Sequence, residues 1–226
     1  MIAEAATRIA AHRRPAVVAG LLMLPFSLSP PIPPLPPAMN EDRVIAETVT
    51  WLERAVIGLN LCPFAKAVHV RKQIRYVVCT ATTPAALCEA LLVELQRLAD
   101  CNADEIDTTL LIHPAVLNDF LDYNDFLDVA DGALHDLRLE GNLQIASFHP
   151  HYQFAGTEPD DITNYTNRSP YPMLHLLRED SIDKAVEAFP EADAIFGANI
   201  QTLETLGQAG WDALGVGATA QPGTSA

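Results

Sequence analysis

The stretch "TTLLIHP", residues 108–114, sets the fold. Thr108, Thr109 and Ile112 favour extended backbone, Leu110 and Leu111 are apolar, and Pro114 closes the run, so the segment reads as a strand. "NLQIASFHP" (142–150) ends in the same His-Pro dipeptide and reads as another. "IRYVVCTAT" (74–82) precedes both and is rich in β-branched residues. Between the strands lie helical patterns. Thr83-Pro84 supplies a cap and a first-turn proline, and Leu87, Leu91, Leu95 and Leu98 share one face. Residues 117–139 repeat apolar positions at Phe120, Leu121, Phe126, Leu127, Leu134 and Leu137. The β-α-β-α-β order favours parallel pairing through right-handed crossovers. The expectation is a single α/β domain: a small, mainly parallel sheet of three strands or slightly more, packed by helices.

Working outward, residues 40–58 read as an amphipathic helix, opened by Asn40 and two acids and stopped by Gly58. Further helices are expected over Met173–Glu179, Ser181–Phe189 and Asn199–Ala213. The domain is expected to span 39–214, with a disordered tail over 215–226. Residues 1–38 pair a basic start with the apolar run "PAVVAGLLMLPFSL" and a polyproline stretch. They read as a disordered leader or an over-extended start before Met39. The expected location is cytoplasmic; a genuine leader would instead mean export or organelle targeting.

The chain's 226 residues carry a formal net charge of −15 and are 49% hydrophobic. That content supports a packed core. The acidic balance excludes a general nucleic-acid binder, and the apolar run near the start is too short to span a bilayer. Cys62, Cys79, Cys88 and Cys101 form no C-x-x-C pair, which fits reduced thiols. "NDFLDYNDFLD" lacks the ligand alternation and the glycine of a calcium loop, so its acids read as a solvated helix face. No dinucleotide, Walker, nucleophile-elbow or H-E-x-x-H motif occurs.

Function concentrates in "SFHPHYQFAGTEPDDITNYTNRSPYP", Ser147–Pro172. If the strands run parallel, both His-Pro corners lie at the carboxyl edge of the sheet, where ligands gather. His149 and His151 are two apart, so on extended backbone both imidazoles face one way. They are candidate acid/base groups, or ligands for a divalent zinc or iron ion, with His113, Asp160, Asp161 or His175 completing the shell. Packed, hydrogen-bonded loop histidines are the structural alternative. In "GLNLCPFAK" (58–66), Cys62 is a candidate nucleophile beside Lys66 and His69, against a role as a small buried residue. Lys66, Arg71, Lys72 and Arg75 bring 4 of the 14 basic residues together, a place for an anion or a solvated loop. Arg168 has neutral neighbours, and its planar fork suits either an oxyanion or loop carbonyls. Asn164, Tyr165 and His113 complete the expected substrate contacts.

"TWLERAVIGLNLCPFAK", "FHPHYQFAG" and "NYTNRSPYPMLHLLRE" together resemble a bacterial and plant family of uncharacterised proteins, domain of unknown function 1415. The resemblance runs from about Glu41 to Leu214 and implies no particular reaction. Relatives often carry a charged pair before the Asn-Ile of the last helix. Gly197-Ala198 stand there in this chain, which implies loss of any ligand contact made at that place. The function expected is an enzyme, a hydrolase or group transferase, acting on a small anionic molecule. His113, His149, His151 and Cys62 would line one pocket, with Lys66 and Arg168 holding the anion. The alternative is a non-catalytic module binding a metabolite or a protein.

Overall fold

The computed structural model of the chain describes residues 40–187 and 194–217. The expected leader, the start at Met39, the end of the helix expected over Ser181–Phe189 and the tail from 218 onward lie outside the described residues.

Asn40 opens α1 (Glu41–Trp51) by accepting from the Arg43 amide at 3.1 Å, with Glu41 and Asp42 at the positive end of the helix dipole. The helix continues as a π-helical turn over Leu52–Ile57, then turns through Asn60, at positive φ, into α2 (Ala65–Val70). β1 (Ile74–Val78) leads to α3 (Pro84–Asp100), capped by the Thr83 hydroxyl. β2 (Thr108–Ile112) leads to α4 (Phe120–Asp136), whose first amides are held by the Asp119 carboxylate. β3 (Leu143–Phe148) is followed by the long loop with its 3-10 turn, Ile162–Thr166. β4 (Met173–Arg178), α5 (Glu179–Glu187) and α6 (Ile195–Ala213) complete the order, α6 being kinked at Gly207.

The sheet corrects the sequence reading. "MLHLLR", expected to start a helix, is strand β4, and it lies between β2 and β3 in the order β1-β2-β4-β3. β1 and β2 pair parallel, while β4 pairs antiparallel with both of its neighbours. The sheet therefore has four strands, within the expected size, but it is mixed and not mainly parallel. Met, Leu and Arg are good helix formers, and a strand covered on both faces loses the polar alternation that marks half-buried strands. Since β4 reverses twice, β1, β2 and β3 still run the same way, and both His-Pro corners reach one edge.

Two cores flank the sheet. On the first face, Leu87, Leu91, Leu95 and Leu98 of α3 and Tyr123 and Phe126 of α4 cover Leu111, Leu174 and Leu176. On the second, Val44, Trp51 and Val56 with Leu203 and Trp211 cover Leu110, Ile112, Phe148 and Met173. Each buried leucine contributes roughly 1.5–3 kcal/mol. Val216, in the segment expected to be disordered, is buried in this second core. Arg75 does not serve an anion patch: its guanidinium makes a fork onto Glu94 of α3 at 2.8 and 3.1 Å.

Tyr123 ties the edge together. Its hydroxyl donates to the Met173 carbonyl at 2.8 Å and accepts from the Phe148 amide at 3.1 Å, and the residue is fully buried. Replacing Tyr123 with Phe keeps the ring and leaves both backbone groups without that partner. We expect a loss of about 2–3 kcal/mol in denaturant unfolding. A loss below about 0.5 kcal/mol, the scale of an ordinary surface change, would show that the bridge is dispensable.

Candidate functional site

The two His-Pro corners do meet, but as packing. The His113 amide donates to the Pro172 carbonyl at 3.0 Å, and its Nδ1–H donates to the Val116 carbonyl at 3.0 Å. Its ring stacks on Tyr123, and its Nε2 is buried without a hydrogen-bond partner among the described residues. His149 meets the same tyrosine, with ring centroids 5.1 Å apart, and Phe120 at 5.4 Å. Its Nδ1 accepts from the His151 amide at 3.0 Å, and its Nε2–H donates to the Leu117 carbonyl at 3.2 Å. Leu117 adopts φ 57 at that point, a left-handed conformation uncommon for a leucine.

This bonding gives the metal reading no support. With both ring nitrogens engaged, His149 has no lone pair for zinc or iron, and His151 stands exposed beside it. Among the described residues, no group of three or more His, Cys, Asp or Glu is placed to hold a metal ion. Burial also lowers the pKa of both His113 and His149 to about 4, so each is neutral at pH 7.

The polar loop is likewise built from internal bonds. Asn164 is fully buried; its Oδ1 accepts from the Phe154 amide and the Thr157 hydroxyl, and its Nδ2 donates to the Glu158 carbonyl. Arg168 donates to the carbonyls of Tyr152 and Pro159, and its guanidinium lies 4.3 Å from the Tyr165 ring centroid. Tyr165 packs edge-on against Trp211 of α6. Asp161 caps the 3-10 turn. Tyr171 donates to the Glu47 carboxylate and tethers the loop to α1. The side chains that suggested a ligand site are therefore mostly spent on holding an irregular segment in place.

Cys62 lies on the other side of the sheet. It packs with the second core, whereas His113 and His149 face Tyr123 in the first. The expected single pocket is thus divided by the sheet itself. Burial raises the Cys62 thiol above its ordinary pKa, outweighing the amides of Phe64 and Ala65 that draw it down. A protonated thiol is a weak nucleophile. Lys66 is exposed on α2 and does not line the cavity described next.

That cavity, about 750 Å³, opens against the second face of the sheet. Its walls are Trp51, Leu52 and Val56 of α1 and the π-helical turn, Cys62 and Phe64 of the following loop, and Ile182 and Ala185 of α5. Its floor is Leu110, Ala146, Phe148 and His175. The π-helical turn positions the loop, because the amides of Leu61 and Cys62 both reach back to the Val56 carbonyl. Asn199 supports it from α6 by donating to the Leu61 carbonyl at 3.0 Å.

His175 is the floor's ionisable group, and it is held in one form. Thr108 Oγ1 donates to the Leu176 carbonyl at 2.7 Å, so toward His175 Nε2, 2.6 Å away, it acts as acceptor. Nε2 therefore carries the proton, and Nδ1 keeps its lone pair. No hydrogen bond to Nδ1 is formed by the described residues. Burial lowers this imidazole's pKa to about 4. The lining also holds Arg71 and Lys184, both exposed, together with Asp104, Asp107 and Arg178. Asp107 accepts from the Ser181 hydroxyl, and Arg178 is committed to the carbonyls of Leu98, Cys101 and Ile106.

From sequence, His175 reads only as a supplementary metal ligand, and Trp51 and Arg178 carry no site signal. His175 becomes central only once β4 is a strand. Among the described residues, no helix is long and apolar enough to cross a membrane. The family described as "Protein of unknown function (DUF1415)" matches residues 43–213, and the chain belongs to it. Neither the curated proteins nor the solved structures gave a match.

The buried His113 and His149 and the half-buried His175 predict an acid transition. Each titrates near 6.5 when unfolded and at about 4 when folded. The unfolded chain therefore binds more protons between these values, and stability, full above about pH 6.5, falls as pH drops toward about 4. Each histidine adds up to about 1.4 kcal/mol per pH unit to that slope. Denaturant unfolding across the window should show it, with a shallower slope in His113→Phe. An unchanged slope in that variant would contradict the assignment.

Proposed function

We propose that this member of the family binds a small amphipathic acid, an apolar body ending in a carboxylate or phosphate, in the cavity on the second face of the sheet. The observation that carries the reading is the cavity's make-up: a space of about 750 Å³ with apolar walls and two exposed cations, Arg71 and Lys184, in its lining. Small-molecule sites typically measure roughly 300–1,000 Å³ and combine apolar walls with a few polar groups. Neither cation forms an ion pair within the described residues, so each can meet an oxyanion. The carboxylates of Asp104 and Asp107 would orient the charged end toward the cations and away from themselves.

Binding accounts for this geometry better than hydrolysis or group transfer through His149, His151 and Cys62. Those reactions need an imidazole with a free nitrogen near an ionisable thiol. His149 has both nitrogens bonded, and Cys62 lies across the sheet with its thiol favoured in the protonated form.

The test uses 1-anilinonaphthalene-8-sulfonate, an apolar fluorophore with one anionic group, and its displacement by decanoate. One saturable site per chain is expected. Ala146→Phe, which fills the floor, should abolish it. Arg71→Glu combined with Lys184→Glu should weaken decanoate by roughly tenfold, the scale of two altered surface charges. Binding that survives both sets of changes intact would overturn the proposal.

A further inference from the structure

The floor of the cavity holds a ring nitrogen, Nδ1 of His175, to which no described residue donates. We propose that the cavity selects a ligand that donates a hydrogen bond, from a hydroxyl or amide N–H on its apolar body, to Nδ1 of His175. The inference rests on the amphipathic-acid reading and adds a specificity determinant to it.

Thr108 fixes the tautomer of His175. Thr108 has one hydroxyl proton, and the Leu176 carbonyl takes it at 2.7 Å. The oxygen is then an acceptor for His175 Nε2–H at 2.6 Å. Nδ1 can only accept, because burial keeps the ring neutral. The residues paired with His175 across the sheet are Leu110 on β2 and Ala146 on β3, and neither side chain has a donor. Both line the cavity beside His175. A lone pair on an apolar floor discriminates sharply, because a ligand without a donor leaves it unpaired.

A merely apolar cavity would give the opposite order. Burying a hydroxyl without a partner is costly, so a plain alkyl chain would bind more tightly than its hydroxylated counterpart. Preference for the hydroxyl is therefore diagnostic of an acceptor in the site.

The experiment displaces 1-anilinonaphthalene-8-sulfonate from the full chain with ω-hydroxy acids from hexanoate to dodecanoate and with the parent alkanoates. For at least one chain length the hydroxy acid should displace the dye at a concentration about tenfold or more below its parent. At that length His175→Phe, which keeps an apolar ring and removes the acceptor, should reverse the order. Thr108→Val releases the Nε2 proton from its acceptor and should shrink the preference, which provides a second test if His175→Phe does not fold. Parents binding as tightly as hydroxy acids at every length would overturn the hydrogen-bond inference while leaving the cavity reading in place. A preference that persists in His175→Phe would do the same. Failure of every acid in both series to displace the dye would remove the amphipathic-acid reading and this inference with it.

Discussion

A strand inserted against the direction of its neighbours governs the rest of this structure. Met173–Arg178 pairs with β2 on one side and β3 on the other, and its apolar residues alternate between the two cores. A central strand must satisfy its backbone on both edges and bury side chains on both faces, so its register is strongly specified. That register sets Leu110 and Ala146 opposite His175. It also sets Ile112 and Phe148 on either side of Met173, where the Tyr123 hydroxyl joins the two strands.

The same insertion divides the chemistry. His113 and His149, the residues just beyond β2 and β3, turn to the first face and become part of the packing around Tyr123. On the second face, Thr108 and His175 settle one hydrogen bond between them and leave one acceptor over. The π-helical turn follows α1 on this face, and the loop after it carries Cys62 and Phe64 to the cavity wall. Such turns frequently mark functional sites, because a widened helix costs stability that regular packing would otherwise keep.

Much of this was legible in the residues. The cap residues Asn40 and Thr83 fall where α1 and α3 begin. The strands at 74, 108 and 143 declare themselves through β-branched and apolar runs. The meeting of the two His-Pro corners was legible too, although through a different sheet. What escaped was the role of "MLHLLR", whose composition favours helix and whose burial on both faces erases any alternation. The site went with it, since His175 on a surface helix would be unremarkable. The loop misled for a further reason. An irregular segment needs many polar side chains to satisfy its own backbone, and Asn164 and Arg168 do so here, which from sequence looks the same as a binding surface.

The hydrogen bonds of Thr108 hold His175 in one tautomer, with Nδ1 left unpaired by the described residues. Nitrogen NMR of the ring of His175, in the full chain labelled on histidine, reads this directly. The expected result is a proton on Nε2 and none on Nδ1 at neutral pH, unchanged until the solution approaches about pH 4. An Nδ1–H tautomer, or an imidazolium already formed near pH 6.5, would contradict it.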